Sequence, residues 1–232
     1  MKIVFSGPGS AATGALVVGV LDGNTLTPSA KALNKKINRG LSRAIKASRF
    51  QGKTGQSLAV VTPAGTRLDR LLIVGLGKAK DVNEQSLCKL GGRIYASLAA
   101  SGSKAATILV DPLEGSTLNP ARIAAAIAEG AFLGLYRFDK YKSDANGKRE
   151  LEALTIVESD EMRVGDLEEG VARGAVLARA VMRCRDLVNE PANHMTPTHL
   201  AEAALDVAQD AGLEVEVLER SDMESLGMGA LR

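Results

Sequence analysis

Tryptophan is absent, and three Tyr and four Phe are the whole aromatic content of 232 residues. A protein so poor in rings has few platforms on which bases or sugars could stack. Its core must be built from Ala, Val, Leu and Ile. Cysteine is equally scarce: Cys88 and Cys184 lie far apart with no partner at metal-ligand spacing, which argues against a zinc ribbon and a disulfide framework and reads as reduced thiols of a cytosolic protein. Histidine occurs twice, at His194 and His199. A metal pair on one helix face sits three or four apart, not five with Thr196 and Pro197 between. No apolar run approaches the roughly 18 residues of a membrane span, and Gly and Pro interrupt MKIVFSGPGSAATG too early for a signal sequence. There is no Gly-x-Ser-x-Gly elbow and no carboxylate cluster flanked by Lys that could hold two metals. The sequence therefore offers no catalytic and no metal-ligating residue.

Acidic residues are missing from one long stretch. None occurs between Asp22 and Asp69, while Lys31, Lys35, Lys36, Arg39, Arg43, Lys46, Arg49, Lys53 and Arg67 all fall within it. From Glu150 onward the balance reverses, with no Lys at all. The net charge of +2 thus conceals opposite fields at the two ends.

The residues that are present alternate between two patterns. Lys2–Phe5, Ala15–Leu21, Ser57–Val61, Arg70–Leu76, Ala106–Val110 and Leu151–Val157 are short aliphatic runs bounded by Gly, Pro, Asp or Ser, the mark of strands. Between them the spacing predicts helices. One begins at Thr27 and Pro28 and carries Leu33, Ile37, Leu41 and Ile45 on one face, with Lys31, Lys35, Arg39 and Lys46 opposite. A second is capped by Asn83, with Leu87, Leu90, Ile94 and Leu98 at core spacing; a third runs from Asn119 and Pro120 to Gly134. Strands interleaved with helices make an α/β domain, a mixed sheet flanked by helices, over residues 1–162.

A long linker helix follows within 163–190, with Asp166 as N-cap and Glu169 completing a capping box, stopped by Pro191. Its length of roughly 36 Å suffices to join two domains. Residues 191–232 then begin an incomplete second α/β domain. They comprise a helix from Thr196 and Pro197 to Gly212, an alternating strand LEVEVLE at 213–219, and a short helix capped by Ser221 and Glu224.

Two stretches invite a ligand. VGLGKAKD at 74–81 follows a strand but lacks the third Gly of a dinucleotide fingerprint and the Gly-Lys-Ser/Thr ending of a phosphate loop, so a plain strand-to-loop turn competes with phosphate binding. Lys31, Lys35, Arg39, Arg43 and Lys46 could neutralise phosphates of a nucleic acid. The same residues also read as the solvated face of an amphipathic helix.

The run from Arg185 to Pro197, RDLVNEPANHMTP, followed by an Ala-rich helix, by GLEVEVL at 212–218 and by LGMGAL at 226–231, resembles the leucyl aminopeptidase (cytosol aminopeptidase) family. There this junction joins an N-terminal, macrodomain-like α/β domain and its linker helix to the catalytic domain. The resemblance implies the N-terminal portion of a cytoplasmic two-metal exopeptidase, a homohexamer that releases N-terminal amino acids from peptides in intracellular protein turnover, with manganese or zinc as the metal pair. The family's ligands, a Lys, several Asp and a Glu, all lie downstream of Leu231 and have no counterpart here. An inactive fragment lacking its catalytic domain is the expectation. A macrodomain-like module binding ADP-ribose, or a nucleic-acid module, is the alternative.

Overall fold

The computed structural model describes residues 2–6, 14–143, 151–158 and 164–231. They group into two compact units, 1–182 and 183–232.

The first unit is built on one mixed sheet. Its strands are β1 (Lys2–Ser6), β2 (Ala15–Leu21), β3 (Thr25–Leu26), β4 (Ser57–Val61), β5 (Arg70–Gly77), β6 (Ala105–Val110) and β7 (Ala153–Glu158). They lie in the order β1-β7-β6-β2-β5-β4, and β3 pairs back onto β2. The neighbours from β1 to β5 run parallel, whereas β4 is antiparallel to β5, pairing Ser57 with Val74. The β2 run is buried almost throughout, because helices cover both faces of a central parallel strand. One face, with Leu16, Val18, Val20, Leu71 and Ile73, packs on α1 (Pro28–Lys36) and α2 (Gly40–Lys46). The other, with Val17, Leu72, Ile108, Leu154 and Ile156, packs on α3 (Glu84–Ala100) and α4 (Pro120–Gly134).

Local signals produce the predicted ends of α3 and α4. Asn83 accepts the Ser86 N–H, and the Ser86 hydroxyl accepts the Asn83 N–H in return, closing a capping box. Asn119 caps α4 by accepting from the Arg122 N–H at 2.8 Å, with Pro120 at the first helical position. The glycines of α4 serve a helix–helix contact: Gly130 and Gly91 let α3 and α4 meet backbone to backbone.

The single basic helix expected from Thr27 is two helices. Asn38 and Arg39 take left-handed φ values of 50° and 60°, so α1 stops at Lys36 and α2 starts at Gly40. Asn34 bridges the break, donating to the Ser42 hydroxyl at 2.8 Å and accepting the Ser42 N–H at 3.0 Å. Ile37, Leu41 and Ile45 remain buried despite the corner. Arg39 sits at the corner rather than opposite them.

A distant residue completes the start of α1. Thr27, in the cap position, donates its hydroxyl to the Gly19 carbonyl at 3.1 Å and makes no cap of its own. Asp111, only 4% exposed, accepts from both the Ser29 N–H and the Ser29 hydroxyl, at 3.0 and 2.6 Å.

The long helix α5 (Val164–Asn189) runs through the unit boundary. It begins two residues before Asp166, which lies inside the first turn rather than at the cap; the Asp166 side chain and the expected boundary at 162–163 fall outside the described residues. Within the first unit Val171 and Ala178 are buried, and Gly170 and Gly174 approach Ala125 and Glu129 of α4.

The second unit holds the end of α5, α6 (Pro197–Ala211) and α7 (Arg220–Ser225). Thr196 caps α6, and Gly212 ends it in the left-handed conformation with φ 65°. The Leu213 N–H then bonds the Ala208 carbonyl, a Schellman-type close. Residues 213–219 are not a strand. Alternation prepares the side chains, but a strand exists only where a neighbour takes its N–H and C=O groups, and no described residue of this unit does so. The cap of α7 is also displaced: Glu219 and Asp222 form its box instead of Ser221 and Glu224.

Candidate functional site

Catalytic side chains do not converge anywhere in the described residues. No group of three or more His, Cys, Asp or Glu there is arranged to hold a metal ion. Both histidines are exposed; the His199 ring sits in the first turn of α6, its Nδ1 at 2.7 Å from the Thr196 hydroxyl. Cys88 is half-buried in α3 and Cys184 is exposed.

The glycine-rich turn after β5 is filled by protein. The Gly77 N–H donates to the Gly52 carbonyl and the Gly75 N–H to the Gln56 carbonyl, both at 2.9 Å. A Cβ at Gly75 would strike the Lys53 carbonyl, so these glycines exist to let the 52–56 loop lie against β5. A cavity of about 30 Å³ between Gly19, Thr27, Val74 and Asp111 has room for a water but not for a diphosphate.

Of the five cations that could meet a nucleic acid, all are exposed, and none forms an ion pair among the described residues. The corner between α1 and α2 divides them. Lys31, Lys35 and Arg39 surround a hollow of about 610 Å³ with Asn34 and Asn38, whereas Arg43 and Lys46 lie outside it on α2. A larger concavity of about 670 Å³ is lined by Glu84, Arg122, Glu129, Glu169, Arg173 and Leu177. Arg122 closes one side with an ion pair to Glu84 at 2.8 Å. Its mixed charges include no nucleophile.

The second unit exposes what a domain normally hides. Leu200 is 53% exposed and Leu213 62%, and Leu205, Val207, Val215, Val217 and Leu226 are exposed as well. Ala208 alone is buried on α6. Arg183 holds this helix to the end of α5, reaching Asp206 and Asp210 at 3.5 Å each and the Ala203 carbonyl at 3.2 Å. Sequence reasoning missed this clamp. The signal that could have found it is two aspartates four apart on one face of a predicted helix, within reach of a cation near the end of the preceding one.

Residues 17–145 match the family model described as the N-terminal domain of the cytosol aminopeptidase family, and residues 182–232 match that of its catalytic domain. The chain belongs to the cytosol aminopeptidase family. A probable cytosol aminopeptidase of Alkaliphilus oremlandii is 32% identical over 218 residues, 93% of this chain and 44% of that protein. One from Aquifex aeolicus is 38% identical over 206 residues, 89% of this chain and 40% of that protein. Among solved structures, a tomato leucine aminopeptidase variant superposes with a TM-score of 0.77 at 25% identity, covering 97% of this chain and 46% of that one. The bottromycin maturation enzyme BotP, in complex with Mn, superposes with a TM-score of 0.67 at 26% identity, covering 92% and 40%. The chain spans less than half the length of these cytosol aminopeptidase relatives. The 182–232 match coincides with the unit whose apolar surface is open. Among the described residues no helix is long and apolar enough to cross a membrane.

Proposed function

We propose that this chain is the N-terminal portion of a two-metal leucyl aminopeptidase that releases N-terminal amino acids from peptides in cytoplasmic protein turnover. Its domains divide as 1–162, a linker helix at 163–190, and the start of the catalytic domain at 191–232. The observation that carries the reading is the coincidence of the catalytic-domain match with the uncovered apolar surface. Burying Leu200, Val207, Leu213, Val215 and Val217 against the rest of that domain would contribute on the order of 10 kcal/mol. A strand at 213–219 would gain its missing neighbour in the same step. The homohexamer belongs to this proposal too, as an assembly of the catalytic domains.

The manganese or zinc pair does not fit this chain. Its described residues offer no donor cluster, so neither the activation of water nor the polarising of a carbonyl is derived from them. The test is hydrolysis of a leucine anilide by the purified chain, with and without added Mn²⁺ or Zn²⁺. No turnover is expected in any condition; metal-dependent turnover that copurifies with this chain would overturn the proposal.

A second reading rests on the hollow at the α1–α2 corner, where Lys31, Lys35 and Arg39 gather without carboxylate partners among the described residues. With Arg43 and Lys46 it offers a docking surface for nucleic-acid phosphates. Changing Lys35, Arg39 and Arg43 together to Glu should leave folding nearly intact, since all three are exposed and Arg39 already holds a left-handed φ. Duplex DNA affinity should fall, and the slope of log affinity against log salt should shrink by roughly 0.9 for each phosphate no longer neutralised. Unchanged affinity and slope in a fluorescence titration would remove this surface from consideration.

A further inference from the structure

A second basic hollow lies at the opposite end of the stretch without acidic residues, where the 52–56 loop meets α3. The loop is held rigid from within. The Gln56 side-chain oxygen accepts the Gln51 and Lys53 N–H groups at 2.8 and 3.2 Å, and the Gln56 N–H donates to the Lys53 carbonyl at 3.0 Å. The Gly77 and Gly75 N–H groups tie the loop to β5. Gly55 turns the chain with φ 86°. This bracing leaves the N–H groups of Thr54 and Gly55 with no acceptor among the described residues, at the tip of the turn.

Two cations on α3 face that turn. Lys89 and Arg93 are four residues apart, so they stand on one face of the helix. Both line a hollow of about 300 Å³ together with Thr54 and Gly55. The Arg93 guanidinium lies so near the turn that a Cβ on Gly55 would strike its Nη1. Neither Lys89 nor Arg93 has a carboxylate partner among the described residues. No acidic residue lines the hollow. Glu84, the acid of the first turn of α3, is occupied by Arg122 at 2.8 Å and lines the other concavity.

We propose that the Thr54–Gly55 turn, Lys89 and Arg93 form a binding site for a phosphate group, carried either by free phosphate or by a small phosphomonoester. Two unspent backbone donors and two unspent cations supply charge-assisted hydrogen bonds to a tetrahedral oxyanion. The guanidinium adds a planar fork of donors that a single point charge lacks. The loop needs no reordering to present its amides, which removes one usual cost of binding a small ligand. The site is independent of the peptidase reading and of the α1–α2 corner.

The test is an amide NMR titration of the intact chain with sodium phosphate, at ionic strength held constant with sodium chloride. Saturable shifts centred on Thr54 and Gly55 are expected. Lys89→Gln with Arg93→Gln should weaken binding by about tenfold or more, the size expected for removing a charge-assisted hydrogen bond. Adenosine monophosphate forms the second arm: tighter binding than inorganic phosphate assigns a phosphomonoester, and equal binding assigns the free ion. Shifts of the same size with acetate or chloride, or no shift in the wild-type chain, would overturn the proposal. So would saturable binding that the double variant retains. The wild-type titration stands without the variant, and both substitutions lie at helix positions open to solvent.

Discussion

Replacing Gly130 with alanine is expected to destabilise the first unit by about 3 kcal/mol or more, beyond the usual range for overpacking because the obstacle is backbone. A Cβ on Gly130 would fall inside the carbonyl of Cys88, in the middle of α3, and a Cβ on Gly91 would fall inside the carbonyl of Ile127. Neither carbonyl can rotate away, since each belongs to a helix interior. The two helices must separate, and that separation opens the cluster formed by Leu87, Leu90, Ile94, Ile123, Ala124 and Ile127. Gly92 supplies the control in the same helix. Its Cβ would stand 3.4 Å from the Gly130 carbonyl, an ordinary contact. Gly92→Ala should therefore be close to neutral, because the gain of roughly 1 kcal/mol from helix propensity offsets a small adjustment. Urea midpoints measured on both variants decide the matter: equal midpoints would show that the α3–α4 approach is not set by these glycines.

Replacing Asp111 with alanine is expected to cost about 2 to 4 kcal/mol. The figure combines roughly 1 kcal/mol for a lost helix cap with about 1 to 3 for a buried hydroxyl left without its acceptor. Asp111 lies at the end of β6 and serves the first turn of α1, 82 positions earlier. Its carboxylate takes both donors of Ser29, and Thr27 cannot substitute because its hydroxyl is spent on Gly19. Asp111→Asn keeps an acceptor oxygen and should recover more than half of the loss. Ser29→Ala removes the hydroxyl together with its demand and should cost less than Asp111→Ala. The same urea series reads all three; an Asp111→Ala midpoint equal to wild type would mean that α1 starts without this cap.

How much is legible in the sequence depends on the reach of each signal. The starts of α3, α4 and α6 are legible because Asn83, Asn119 and Thr196 bond within three residues of themselves. The corner at Asn38 and Arg39 is not, since the four-residue repeat of Leu33, Ile37, Leu41 and Ile45 continues unbroken across it. Only the burial of those side chains against the sheet, with Asn34 joined to Ser42, makes two short helices preferable to one. The junction from Arg185 to Pro197 identifies the family, and the family match bears that out. The paired cations Lys89 and Arg93 carry no such signal, because nothing local shows that a loop 35 residues away lies against them.

The sequence by itself determined the alternation of strands and helices, the ends of the capped helices, the charge asymmetry and the family to which the chain belongs. These rest on contacts within a turn or two, or on a run of adjacent residues. The tertiary structure alone decided the antiparallel place of β4, the cap that Asp111 lends to α1, the backbone contact at Gly91 and Gly130, and the state of residues 213–219. Each of these depends on a partner distant in the chain. LEVEVLE shows the limit most clearly: alternation sets which side chains share a face, but the backbone becomes a strand only when another strand accepts its hydrogen bonds.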